Sequence, residues 1–131
     1  MKVFGISIFV RNMEEMVRFY KEVLHMDSNW DGGSYAEFLM ENNFHFMLYE
    51  RKAFEELISQ VPDYPAEING TMEFALDVPK YSDVDNEFEK IMKIGGKPVL
   101  EPTNTPWGQR TCYIADPEGN LIEIASLVKD Q

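Results

Sequence analysis

Residues 107–126 read WGQRTCYIADPEGNLIEIAS. Arg110 to Ala115 mixes polar, aromatic and β-branched residues and predicts a half-buried strand. Asp116-Pro117-Glu118-Gly119-Asn120 predicts a tight turn. Pro117 presets its φ, Gly119 accepts a positive φ, and Asp116 can bond the backbone ahead of it. Leu121 to Leu127 predicts the second strand of a hairpin. One carboxylate, Glu123, lies among Leu121, Ile122, Ile124 and Ala125. A charge in an apolar strand costs free energy unless it is paired, exposed or used.

The elements before this hairpin complete a unit. Thr71 to Val78 predicts a strand. Ser82 with Asp85 forms a capping-box pattern, and Val84, Phe88, Ile91, Met92 and Ile94 recur at helical spacing up to Gly95-Gly96. Pro98 to Glu101 predicts a short strand. Thr103 to Gly108 is a loop that contains Trp107.

The first half repeats the order. Val3 to Val10 predicts a strand with Ile6, Ile8 and Val10 on one face and Gly5, Ser7 and Phe9 on the other. Asn12 and Glu15 cap a helix whose stripe is Met13, Met16, Val17, Tyr20, Val23 and Leu24. Ser34 to Met40 and Phe44 to Tyr49 predict two further strands, and Arg51 to Val61 a short helix. The prolines and the Asn-Gly step of residues 62–70 mark a linker. The chain therefore predicts a single α+β domain over residues 1–131. Module 1 spans about residues 1–61 and module 2 about residues 71–127, each read as βαβββ.

The totals narrow the function. The chain has 131 residues, 44% of them hydrophobic, enough to bury a core. Twelve Lys and Arg against 23 Asp and Glu give a net charge of −11. That charge disfavours nucleic acid and anionic membranes. No apolar run approaches the roughly 20 residues of a membrane span. The first residues lack a signal-peptide pattern, and the single cysteine, Cys112, fits a reducing compartment, so the cytoplasm is expected. No phosphate-binding glycine loop, GxSxG or CxxC occurs.

Alternation puts Gly5 and Glu73 at matching places in the two opening strands, facing away from the helices. The closing strands match Phe46 with Glu123, and a shift of one residue there would bring in His45 or Met47. Glu73 and Glu123, if close, would draw a cation or a proton between them. Arg110 could grip a substrate carboxylate or neutralise Glu123. Trp107, in a proline-rich loop with little core to join, is a candidate ligand-facing aromatic. Tyr113 and Phe46, with Trp30, Tyr35 and Phe38, are further candidates for an aromatic wall. His25, at the first helix end, reads as structural, and Cys112 reads as buried packing.

The opening strand with FYKEVLHM, then EFALDV with its helix to Gly95-Gly96, and then WGQRTCYIADPEGNLIEIAS together resemble the vicinal oxygen chelate superfamily. This superfamily includes glyoxalase I, bleomycin-resistance proteins and extradiol dioxygenases. The resemblance covers nearly the whole chain. It implies paired βαβββ modules forming a cupped mixed sheet, commonly in a homodimer. In metal-dependent relatives, the four matched positions carry His and Glu ligands. Here Gly5, Phe46 and Glu73 replace three of them and only Glu123 is retained. No cofactor is therefore expected. A hard divalent ion on Glu73 and Glu123 is the exception considered. The reading is a metal-free small-molecule binding protein of the bleomycin-resistance type. Its acidic cleft would take a cationic or aromatic ligand on Glu73, Glu123, Trp107, Arg110, Phe46 and Tyr113. The alternative is a metal-dependent lyase, isomerase or dioxygenase with Glu123 as ligand or base. A non-catalytic interaction module is the third.

Overall fold

The computed structural model describes residues 1–131, the side chain of Asn42 excepted. The fold is mixed α+β and divides into two compact units, Met1–Tyr64 and Pro65–Gln131.

In the first unit, β1 (Gly5–Val10), β2 (Tyr35–Leu39) and β3 (His45–Glu50) form one sheet in the order β1-β3-β2. β1 runs parallel to β3, and β2 antiparallel to it. Helix α1 (Met13–Arg18) continues as a π-helical stretch over Phe19–Val23. Asn12 caps it: its side-chain oxygen accepts from the Glu15 backbone N–H at 3.1 Å. The helix buries Met13, Met16, Val17, Phe19 and Tyr20. Tyr20 meets Phe46 at a ring separation of 4.9 Å and Phe38 at 5.8 Å. This aromatic contact fixes which face of the sheet turns towards the helix. Each such side chain contributes about 1.5–3 kcal/mol of apolar burial.

A short helix, α2 (Arg51–Ile58), covers one end of the opposite face, where Phe54 stacks on Phe9 at 4.0 Å. It stops at Ser59 in a left-handed conformation, short of the predicted Val61. The βαβββ order places a strand between α1 and β2. A single antiparallel bridge, Ser28 to Phe38, occupies that place. The Asp31-Gly32-Gly33 turn follows at once and leaves no length for a ladder.

In the second unit, β4 (Asn69–Asp77), β5 (Lys97–Asn104), β6 (Arg110–Ala115) and β7 (Asn120–Ser126) form a sheet in the order β4-β7-β6-β5. β4 and β7 are parallel and the other pairs antiparallel. Helix α3 (Tyr81–Lys93) packs Val84 and Ile91 towards one face, where Cys112, Ile114, Ile122 and Ile124 are also buried. Its cap differs from the Ser82–Asp85 pattern. Asp83 accepts from the Lys80 backbone N–H at 3.1 Å, so the helix starts earlier and Asp85 is left for another partner.

The 116–120 turn is tied at its base. Asp116, fully buried, accepts from the backbone N–H groups of Glu118 at 2.9 Å and Asn120 at 3.0 Å, and from the Asn120 side chain at 2.8 Å. Gly119 takes a φ of +88°, and a Cβ there would lie 2.3 Å from the Glu67 carbonyl oxygen. Asn69 donates its backbone N–H to the Gly119 carbonyl at 2.7 Å, which ties the turn to the start of β4. Among the described residues, no helix is long and apolar enough to cross a membrane.

Candidate functional site

The candidate residues divide according to the face of the sheet they occupy. In the second unit, Phe74, Cys112, Ile114 and Ile122 face α3. Alternation sends Glu73, Tyr113 and Glu123 to the opposite face. The register brings them together: Tyr113 lies opposite Glu123 across β6 and β7, and Glu123 opposite Ala75 across β7 and β4. The Tyr113 hydroxyl lies within electrostatic reach of both Glu73 and Glu123. Its pKa is raised, first by burial, then by the hydrogen bond to Glu73 and the charges of both carboxylates. Thr111, almost fully buried, donates its hydroxyl to Glu123 at 2.6 Å. The face thus carries two carboxylates and one phenol that holds its proton more tightly than usual. Their remaining lone pairs suit a ligand with N–H donors.

Arg110 belongs to the other face. Its guanidinium forks onto the Asp85 carboxylate at 2.6 Å through both Nε and Nη2, and Nη1 donates to Asn104 at 2.9 Å. The expected contact with Glu123 or with a substrate carboxylate at the acidic face is therefore corrected. Arg110 and Cys112 are two positions apart on β6, so both point towards α3, where Asp85 waits. Arg110 lines a recess of about 560 Å³ with Tyr81, Ser82, Asp85 and Asn104. Asp85 is held below the usual carboxylate range, chiefly by these hydrogen bonds. Trp107 stands in the turn between β5 and β6, 72% exposed, and its indole N–H donates to Gln109 at 3.2 Å. Neither carboxylate is its partner.

Phe46 requires a second correction. It is fully buried and packs on Tyr20 and Phe38, so it faces the helix. The register also shows which residue matches Glu123. Glu73 lies opposite Leu121, two residues before Glu123. Gly5 lies opposite His45, and the same step of two reaches Met47. The first unit therefore offers a glycine and a thioether at the two matched positions. Phe38 is buried with Phe46, whereas Tyr35 is about half exposed on β2.

This donor set does not fit the metal of the metal-dependent relatives. Glycine donates nothing, a thioether is a soft ligand, and no imidazole accompanies the two carboxylates in the second unit. Among the described residues, no three or more His, Cys, Asp or Glu side chains form a group that could hold a metal ion.

The one-residue shift brings in His45 as well as Met47, the two residues that such a shift was expected to offer, and adds Glu37, which the sequence did not single out. His45 and Glu37 occupy the face of the first sheet away from α1, and the His45 Nδ1 is paired with Glu37 Oε1. Tyr35 donates to the second oxygen of Glu37 at 3.2 Å. The signal was the alternation Ala36, Phe38 against Glu37, Leu39, which sets the register of β2 and through it that of β3.

Comparison with known proteins agrees with this architecture. The family model described as "Glyoxalase-like domain" matches residues 3–129. The chain is 27% identical to the uncharacterised protein YraH of Bacillus subtilis (strain 168), over 98% of this chain and 100% of YraH. A glyoxalase-related enzyme from Fulvimarina pelagi superposes with a TM-score of 0.81 at 23% identity, over 95% of this chain and 87% of the other. A glyoxalase/bleomycin resistance protein/dioxygenase family enzyme from Burkholderia phytofirmans PsJN gives 0.83 at 18% identity, over 98% and 100%. With the match running through both units and the fold shared, the chain belongs to the glyoxalase-like domain family, within the vicinal oxygen chelate superfamily.

Proposed function

We propose that the protein binds a small cationic molecule, an amine or guanidine on an aromatic body, through the Glu73–Tyr113–Glu123 face and without a divalent metal. The observation that carries the reading is the placing of two carboxylates and one phenol together on one sheet face. A buried Thr111 hydroxyl supports it by orienting Glu123. An ammonium or guanidinium would replace the mutual repulsion of the carboxylates with charge-assisted hydrogen bonds. The net charge of −11 would speed its arrival. The reading includes a homodimer in the cytoplasm, because each sheet ends in edge strands that favour association.

The test is calorimetric titration with a panel of cationic aromatic amines, on the wild type and on Glu73→Gln with Glu123→Gln. Saturable binding that weakens about tenfold or more in the double variant supports the reading. Binding that is absent, or indifferent to both changes, defeats it. Elemental analysis of the purified protein completes the test. A stoichiometric metal lost on Glu123→Gln would replace the reading with a metal-dependent lyase, isomerase or dioxygenase.

A further inference from the structure

The first unit carries a separate polar group on the sheet face away from α1. We infer that His45, positioned by Glu37, is a binding site for a phenolic hydroxyl. The two ring nitrogens have different roles. Nδ1 is committed to the Glu37 carboxylate. A carboxylate there accepts a hydrogen bond from Nδ1–H, and in that tautomer Nε2 is the lone-pair acceptor. Tyr35 donates to the other oxygen of Glu37 and holds that carboxylate in place. The Tyr35 pKa is raised by burial first and then by Glu37, in keeping with a donor that retains its proton.

The surroundings select the ligand. The His45 side chain is 42% exposed, which leaves part of the ring open to a ligand. Phe4 meets the imidazole edge-on at 5.4 Å. Leu39 lies opposite His45 in register, and it is largely exposed. The Met47 methyl lies 3.0 Å from where a Gly5 Cβ would be, so it crosses the same glycine as His45. An acceptor nitrogen set among a phenyl ring, an isobutyl group and a thioether suits a donor carried on an apolar ring. Along β2 lies a pocket of about 270 Å³ whose wall includes Trp30, Asp31, Tyr35, Glu37 and Leu39 but not His45. Glu37 and Leu39 belong both to its wall and to the neighbourhood of His45. A phenol whose hydroxyl meets Nε2 would lay its ring against Phe4 and Leu39, next to the imidazole. The proton lies on the phenol oxygen or on Nε2 within one hydrogen bond, and in the second case Glu37 offsets the imidazolium charge. No bond other than O–H or N–H changes.

The probe is 4-nitrophenol, whose absorbance separates phenol from phenolate. Saturable binding is expected, with a shift of the absorbance towards phenolate. The His45 ring-nitrogen NMR signals should show the Nδ1–H tautomer without ligand and a perturbed Nε2 with it. 4-Nitroanisole, which lacks the hydroxyl proton, should bind about tenfold more weakly. His45→Gln should weaken 4-nitrophenol about tenfold. Glu37→Gln should weaken it severalfold and reduce the phenolate fraction, which a merely structural residue would not do. Equal affinity for the anisole, a wild-type ring with its proton on Nε2, or no binding to the wild type at millimolar probe would each overturn the inference. The tautomer measurement needs no variant, so a misfolded substitution does not remove the test.

Discussion

Gly5 lies directly across from His45, and a Cβ on Gly5 would sit 2.5 Å from the His45 carbonyl oxygen and 2.8 Å from its Cβ. Backbone cannot yield as a side-chain tip can. Gly5→Ala should therefore lose about 1–3 kcal/mol, the range for overpacking. Urea unfolding monitored by circular dichroism measures it. A loss within about 0.5 kcal/mol, the range of ordinary surface changes, would mean that the β1–β3 register is wrong.

The same register makes neighbours behave differently. Phe46 is fully buried between Tyr20 and Phe38. Phe46→Ala should cost about 3–5 kcal/mol, transfer and cavity together. His45→Ala removes a half-exposed pair with Glu37 and should cost about 1 kcal/mol or less. Reversal of that order would put Phe46 back among ligand-facing residues.

The contrast explains what was legible in the sequence. The hairpin at 116–120, the caps at Asn12 and the apolar stripes rest on local chemistry, which neighbouring residues carry by themselves. The α+β class followed from their order. Glu73, Tyr113 and Glu123 share one face because the period of two along β4, β6 and β7 places them there. Phe46 was misplaced because FHFML is nearly continuous in apolar character. Only its partner strand and Tyr20 choose between two registers that differ by one residue. Arg110 was misread for a similar reason. Its partner Asp85 is 25 residues distant, and the local cap pattern had already claimed that carboxylate.

The Arg110–Asp85 fork should stabilise the second unit in a pH-dependent way. Arg110 holds the Asp85 pKa below its ordinary 3.8. The unfolded chain would protonate Asp85 near that value and the folded chain only at lower pH. The contribution is therefore fully present above about pH 4 and fades as pH falls through the depressed value. Arg110→Met should cost about 0.5–1.5 kcal/mol at pH 7, discounted because Asp85 is 42% exposed. The difference between wild type and variant should shrink towards pH 2. Affinity for cationic amines should be unchanged, since Arg110 faces α3. A variant that loses amine binding while keeping its stability would return Arg110 to the acidic face.

Alkaline pH should act through Cys112. The thiol is fully buried, and burial pushes its pKa from 9.0 up to about 12. Between those values the unfolded chain releases a proton that the folded chain keeps. Stability should be intact below pH 9 and fall as pH rises towards 12, by up to about 1.4 kcal/mol per pH unit for this one group. Tyr113, also raised, adds to the decline above about pH 10. Urea midpoints at pH 8, 9, 10 and 11 test this. Cys112→Ala should be less stable at pH 8 because of its cavity, yet its stability should decline less steeply from pH 9 to 11. In the wild type the thiol should resist a disulfide-exchange reagent at pH 8 until urea unfolds the chain, because little thiolate forms in the core. Rapid labelling of the folded protein, or an unchanged alkaline slope in Cys112→Ala, would show that this thiol is not held protonated by burial behind β6.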